Sequence, residues 1–426
     1  MIKEKLTSRM GKDVVWTFSI QITIMLCAFV VTKLLSTRLS IEDFGQYNLV
    51  KRSVQVLSFV MLAGVGITLP RYIPLYRKSE RPKPIAPLLM ASFIYMIGVT
   101  FVVCLACALF SEQIQQLILG EKDNMQLLAI ALAYAFVLAM AQLTYAYYRG
   151  IGNFKWYNGA NLGVNIGIIV PLIILPVLTT KNVFTSWIIV TTALVTFYLV
   201  KEFLTTGTSP ISRSAIKEEL RTIVKYSSGR LAADFFLFSL SALPLIYISY
   251  SLGLQPTAYY SVGITFVIMV TPIYSFMGII LLPYVSEAIA KHELKQANRF
   301  INKLTLIYIS SALIITAILY AFIRFLTWFF FAESYLVTTD LSRIMILAIL
   351  PQSLYLLYRN PIDAVSVVPY NTFILGFCLA VMVLLFALSS TLTEFAWAYV
   401  SVSLLQGILS WITWFRLTKK YTSIPL

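Results

Sequence analysis

Leu39-Ser40-Ile41-Glu42-Asp43-Phe44-Gly45-Gln46-Tyr47 returns in altered form as Leu252-Gly253-Leu254-Gln255-Pro256-Thr257-Ala258-Tyr259-Tyr260, 213 residues further on. Ile67-Thr68-Leu69-Pro70 faces Ile280-Leu281-Leu282-Pro283 at the same offset of 213, as Tyr157-Asn158 faces Tyr370-Asn371. Between these, Tyr145-x-x-Tyr148-Arg149 matches Tyr355-x-x-Tyr358-Arg359 at an offset of 210, so one loop of the first copy is three residues shorter. Any single match between apolar stretches is cheap. A nearly constant offset over four segments, equal to half of 426 residues, is read as an internal duplication.

The composition says what was duplicated. The chain is 59% hydrophobic and 12% charged, about half the charge of a soluble domain, and its mean hydropathy is +0.82. A polar exterior cannot be built from so few polar residues, so lipid is the solvent for most of the chain. Stretches of about 20 apolar residues, the length that crosses the hydrocarbon core, centre near Met25, Phe59, Thr100, Phe136, Ile168, Val190, Leu240, Met269, Ile314, Ala348, Val381 and Leu404. These predict an all-α integral membrane protein of about twelve spans, in six-helix lobes at residues 1–212 and 213–426. The polar stretches Thr205–Lys225 and Ser286–Lys303 read as loops. Each half begins on the same side, so the repeats are parallel, an arrangement that in transporters puts the substrate between lobes that rock.

The net charge of +15 does not require nucleic acid as a partner. Lys and Arg concentrate in alternate loops, from Lys3, Lys5, Arg9 and Lys12 to Arg416, Lys419 and Lys420. By the positive-inside rule both termini are cytoplasmic. Cys27, Cys104, Cys107 and Cys378 all lie in apolar runs and read as buried thiols, and His292 reads as a solvated loop residue. Neither a metal site nor a cofactor is expected.

Ionisable groups inside a span are functional candidates by default. In the seventh span Ser227, Arg230, Asp234 and Ser241 have helical same-face spacing, which puts Asp234 roughly 12 Å deep if the helix enters the membrane near Tyr226. The repeat matches Arg230 and Asp234 with Thr17 and Gln21 of the first span. Two readings stand: a self-neutralising Arg230–Asp234 pair that fixes helix register, or a cavity wall. In the second, Arg230 binds phosphate through its planar fork and Asp234 binds the coupling ion. Lys33 and Lys51 are candidate cavity cations near the outer ends of spans one and two. Lys51 shares a face with Gln55 and Ser58, whereas Arg52 points about 100° away. Arg38 reads as a snorkelling interfacial residue. Arg149 and Arg359, equivalent in the repeat and flanked by tyrosines, are candidates for an inner gate that holds pyrophosphate. Gly159-x-x-x-Gly163-x-x-x-Gly167 predicts a smooth face for a neighbouring helix, and the prolines and Gly64 and Gly66 predict kinks.

The turn Leu39-Ser40-x-Glu42-Asp43-Phe44-Gly45-x-Tyr47 and the segment Tyr148-Arg149-Gly150-Ile151-Gly152-Asn153-Phe154-Lys155 resemble the oligosaccharide flippases of polysaccharide biosynthesis, in the multidrug/oligosaccharidyl-lipid/polysaccharide exporter superfamily. The resemblance covers the whole chain in layout, although Thr257-Ala258 replaces the Phe-Gly pair in the second half. It implies a V-shaped, alternating-access secondary transporter in the bacterial inner membrane. The implied substrate is a polyprenyl-pyrophosphate-linked oligosaccharide repeat unit for a surface polysaccharide such as O-antigen, capsule or exopolysaccharide. A proton or sodium ion is the implied coupling ion. Membrane lipids, a polysaccharide polymerase and glycosyltransferases are the implied partners. A cation-coupled multidrug antiporter of the same superfamily is the alternative, and it would want carboxylates where this chain has cations. A membrane-embedded polymerase, ligase or glycosyltransferase needs paired carboxylates or a metal, and the sequence contains no D-x-D.

Overall fold

The computed structural model describes residues 9–78, 83–206, 212–227, 231–275, 277–290, 293–366 and 368–423. Among them every regular element is helical, and eleven helices are long and apolar enough to cross a membrane. A bent pair, Ile41–Leu62 with Val65–Arg77, passes the same test when taken together, for up to twelve spans among the described residues. With that pair as one span each half holds six, and helix starts follow the offset of the duplication: one helix begins at Ile41 and its counterpart at Leu254, 213 residues later.

The first compact unit, Met1–Phe238, is built from α1 (Arg9–Arg38), α2 (Ile41–Leu62), α3 (Val65–Lys78), α4 (Ala86–Leu109), the short α5 (Ser111–Leu119), α6 (Met125–Gly150), α7 (Phe154–Gly167), α8 (Ile169–Ile174), α9 (Thr180–Thr206) and α10 (Arg213–Ser227). Its hub is α6, which packs against α2, α3, α7 and α9. Ser40 shows why the quoted turn starts a helix. Its hydroxyl accepts from the Asp43 amide at 3.0 Å and donates to the Asp43 carboxylate at 2.7 Å, so an orphan N–H of α2 is capped. Tyr47, one turn on, stacks on Phe184 at 5.7 Å and meets Trp187 edge-on at 5.8 Å. The motif is thus a cap followed by an aromatic anchor.

The bend between α2 and α3 is 41°. It falls on Ala63 and Gly64, both left-handed at φ 51° and φ 77°. A Cβ on Gly64 would lie 2.7 Å from that of Ser227, so the position demands glycine for conformation and for space. The glycine face of α7 behaves as expected only at one end. Gly167 packs tightly on Val190 and Leu194, but Gly159 and Gly163 meet only the Tyr198 hydroxyl. An apolar groove of about 610 Å³ runs along this face from Gly159 past Gly167 to Val170, with Ile189, Val190, Ala193 and Leu194 of α9 as its other wall.

Arg38 has a more specific task than snorkelling. Its guanidinium donates to the carbonyls of Leu172, Leu175 and Pro176, the last at 3.1 Å. These groups are left unpaired where α8 ends, so Arg38 closes a helix terminus 134 residues away in sequence. Arg38→Ala is expected to lower stability by about 2 kcal/mol, read as a fall in the midpoint of thermal unfolding in detergent. Lysine should fail to rescue it, having no fork.

Thr205–Lys225 is not a loop. Its second half forms α10, an amphipathic helix that packs on α3 and α4. With the first turns of α11 (Leu231–Leu252), where Phe238 meets Phe59 at 4.9 Å, α10 belongs to the first unit although it follows residue 212.

The second unit, Ser239–Leu426, continues with α12 (Leu254–Ser275), α13 (Met277–Ala290), α14 (Leu294–Phe330), α15 (Thr339–Met345), α16 (Ile349–Val365), α17 (Tyr370–Ala387) and α18 (Leu392–Ser423). Its hub, Glu333–Val365, occupies the place of α6 in the repeat, but two 3-10 segments interrupt it. The hub's α16 packs against α12, α13, α14 and α18.

Candidate substrate site

The α2 start at Ile41 fixes the place of Lys51 in the bent span: ten residues at 1.5 Å each put it about 15 Å along, midway through α2 and in the first third of Ile41–Arg77. Lys51 is half-buried, and its ammonium lies over the Tyr47 ring, 5.5 Å from the centroid. Gln55 does not belong to Lys51: Arg52 reaches across one turn and donates to the Gln55 carbonyl oxygen at 3.0 Å. Ser58 turns back on the Gln55 main-chain carbonyl at 2.9 Å. Arg52, set aside because of its direction at Cα, is therefore part of the same polar strip. Its side chain is long enough to cover the 100° step.

On α1, Lys33 is half-buried and lies five residues before the last residue, Arg38. Thr17 accepts from the Asn158 amide at 3.0 Å, tying α1 to α7, and Gln21 stands half-buried one turn further on. Asn158 is wholly buried, and its side-chain oxygen has no hydrogen-bond partner. Its repeat counterpart Asn371 shows the same unpaired oxygen, while its nitrogen donates to the Arg359 carbonyl at 2.8 Å and to Asp363 at 2.7 Å.

The seventh-span cluster comes apart. Arg230 lies outside the described residues, as does His292. Ser227 ends α10 instead of opening the span, and its hydroxyl meets Thr68 at 3.2 Å beneath Gly64. Asp234 is half-buried in the first turn of α11. Tyr226, from which its depth was reckoned, belongs to α10. Asp234 is about one turn into α11, where the helix N-terminus favours a negative charge.

The second motif is a helix-to-helix turn. Asn153 caps α7 by accepting from the Trp156 amide at 3.3 Å. Arg149 is exposed, donates to the Gly66 carbonyl at 3.1 Å and lies 5.8 Å from the Tyr157 ring centroid. It joins the end of α6 to the start of α3. Arg359 is half-buried, and its carbonyl is held by Asn371.

Beside this turn lies an interface that residue-by-residue reading missed. Tyr76 of α3 donates to Glu219 of α10 at 2.6 Å, and Arg71 donates to the Tyr226 hydroxyl at 3.0 Å. Glu219 is buried although it sits in a highly charged segment. Its signal was the helical spacing of Ala215, Ile216, Leu220 and Ile223 around it. Among the described residues no three of His, Cys, Asp and Glu gather as metal ligands.

The sequence profile of the family described as "Polysaccharide biosynthesis protein" matches residues 10–289. No curated protein matches the sequence. Among solved structures, the inward closed conformation of the lipid II flippase MurJ aligns with a TM-score of 0.73 at 12% identity, over 96% of this chain and 90% of that one. An inward-facing multidrug resistance MATE family transporter of the MOP superfamily aligns with a TM-score of 0.70 at 14% identity, over 94% and 96%. The Vibrio cholerae MATE transporter VcmN aligns with a TM-score of 0.64 at 14% identity, over 96% and 98%. At these identities the likeness is one of fold, and it extends across both repeats. A profile that runs from α1 to the end of α13 makes this chain a member of the polysaccharide biosynthesis protein family, and its eleven to twelve spans among the described residues have the fold of MOP superfamily transporters.

Proposed function

We propose that the protein flips a polyprenyl-pyrophosphate-linked oligosaccharide repeat unit from the cytoplasmic to the outer leaflet of the bacterial inner membrane, for assembly of a surface polysaccharide such as O-antigen, capsule or exopolysaccharide. Both termini are cytoplasmic in this reading, and no bond of the substrate is made or broken. The observation that carries it is the cationic pair Lys51 and Arg52, half-buried in the first third of the bent span Ile41–Arg77 in a chain of this family. A charge inside the hydrocarbon core is costly and is retained for a task. A pyrophosphate supplies the complementary charge, and its glycan needs shelter that lipid cannot give.

Lys51, Arg52, Lys33 and Arg230 would receive the pyrophosphate, while Thr17, Gln21 and Gln55 supply neutral hydrogen bonds to sugar hydroxyls. Arg149 and Arg359 are the candidates for an inner gate that holds the pyrophosphate. Polymerase and glycosyltransferases would supply and consume the lipid-linked unit. A multidrug antiporter, which shares the fold, would need an acidic wall for cationic substrates, and the mid-helix charges of α2 have the opposite sign. The test is deletion of the gene: lipid-linked repeat units should accumulate on the cytoplasmic side, and their absence there would overturn the reading.

Asp234 is the candidate for ion coupling by a proton or sodium ion. In proteoliposomes, Asp234→Asn is expected to remove the dependence of translocation on the ion gradient while substrate binding persists. Unchanged gradient dependence would move the coupling site elsewhere.

A further inference from the structure

The helix α10 divides its charges between two faces. Arg213, Lys217, Arg221 and Lys225 recur every fourth residue, and all four are exposed. At 100° per residue each step advances the row by about 40°, so the four cations fill an arc of about 120°. The opposite arc is committed to protein. Ile223 and Ser227 are buried, and buried Glu219 accepts from Tyr76. The remaining acid, Glu218, is exposed at the edge of the basic arc, about 20° beyond Lys225, and there pairs with Lys83 at 3.3 Å. One acid is thus turned into the protein and the other is paired with a fifth cation, leaving the outer face positive.

The positive-inside rule requires only that such residues lie in this loop. It does not require them to share one face of a docked helix. α10 is also held close to the bilayer by short tethers, since the sixth-span helix ends at Thr206 and α11 begins at Leu231. We propose that this face is a docking surface for anionic phospholipid headgroups of the cytoplasmic leaflet. An amphipathic helix with four basic residues beside a membrane span has the charge pattern that anionic lipid surfaces attract. The row is about 18 Å long with about 6 Å between successive cations. That suits several headgroups side by side and is too extended for one pyrophosphate. Since the other face grips α3 below the bend at Gly64, lipid charge would bear directly on the segment that bend positions.

The experiment uses the full chain in nanodiscs of phosphatidylcholine with and without 30% phosphatidylglycerol, as a probe composition on the order used for anionic leaflets. Hydrogen exchange is followed over residues 213–227. Phosphatidylglycerol is expected to slow exchange there at least about tenfold, and 1 M salt to remove the effect by screening. A variant carrying R213Q, K217Q, R221Q and K225Q should lose the lipid dependence while Tyr76 and α3 exchange as before. Should that variant fold poorly, the salt response of the unaltered chain decides alone. Equal exchange in both lipid mixtures, lipid protection that survives high salt, or protection by 1 mM inorganic pyrophosphate in pure phosphatidylcholine at the level given by phosphatidylglycerol would each overturn the proposal.

Discussion

Lys51→Gln is expected to slow translocation of a lipid-linked oligosaccharide about thirtyfold in proteoliposomes, with Lys51→Arg close to the unaltered rate. A hydrogen bond to a charged group contributes about 2 kcal/mol, and each 1.4 kcal/mol is a factor of about ten. Lys51 stands halfway along α2 beside a tyrosine ring, so neutralising it removes charge where screening is weakest. Glutamine is one atom shorter but keeps much of the packing of the stem, so thermal unfolding should barely move. Arg52→Gln should also slow transport and should release Gln55 from its present partner. If Lys51→Gln transports normally, the phosphate site lies elsewhere and the reading of α2 fails with it.

The second large effect concerns folding. Gly407→Leu is expected to prevent accumulation of folded protein, and Gly407→Ala to lower stability by about 3 kcal/mol. A Cβ at this position would stand 2.6 Å from the Pro351 carbonyl oxygen and 3.1 Å from its Cα. Both are main-chain atoms, which cannot swing aside as a side chain does. Gly407 lies on α18 where it packs against α16, the hub helix of its unit. Expression level and size-exclusion profile would measure the leucine variant, and thermal unfolding the alanine variant. By contrast, a Cβ on Gly159 meets only the Tyr198 hydroxyl at 3.5 Å, so Gly159→Ala should be mild. A Gly407→Ala variant as stable as the unaltered chain would show that the α16–α18 contact gives way.

The spans were legible because lipid imposes a length and a composition that nothing else in the sequence imitates. Even the bent second span was marked by Gly64, Gly66 and Pro70. What hydropathy could not locate was the end of a helix. Caps and breaks set those boundaries rather than apolarity, so α2 begins at Ile41 and Asp234 falls in the first turn of α11. The Ser40 cap, three residues before Asp43, marked the start of α2 in plain view. Arg38 was different in kind: its carbonyl partners lie more than a hundred residues away and become neighbours only after α1 and α8 pack. Lys51, Gln55 and Ser58 lie at i, i+4 and i+7 of α2, and Arg52 joins them because arginine reaches well beyond the direction of its Cα. α10 was hidden by its own charge, its basic residues having been assigned to topology before its apolar spacing was weighed.

The length of α14 has a practical side. Its 37 residues extend for about 55 Å, against a hydrocarbon core of about 30 Å. The first turns, with Lys295, Arg299 and Lys303 exposed, therefore project beyond the core on the basic side. They do not project alone, since Trp414 of the equally long-reaching α18 donates to Asn298 at 3.2 Å, and Tyr284 of α13 packs against Phe300 at 5.2 Å. A braced helical stub of this kind is what electron cryomicroscopy lacks in a membrane chain of 48.1 kDa. A rigid marker domain spliced in helical register onto the exposed face near Lys295 would turn with the second unit as one body. Its tilt in images would then report that unit's orientation through the transport cycle.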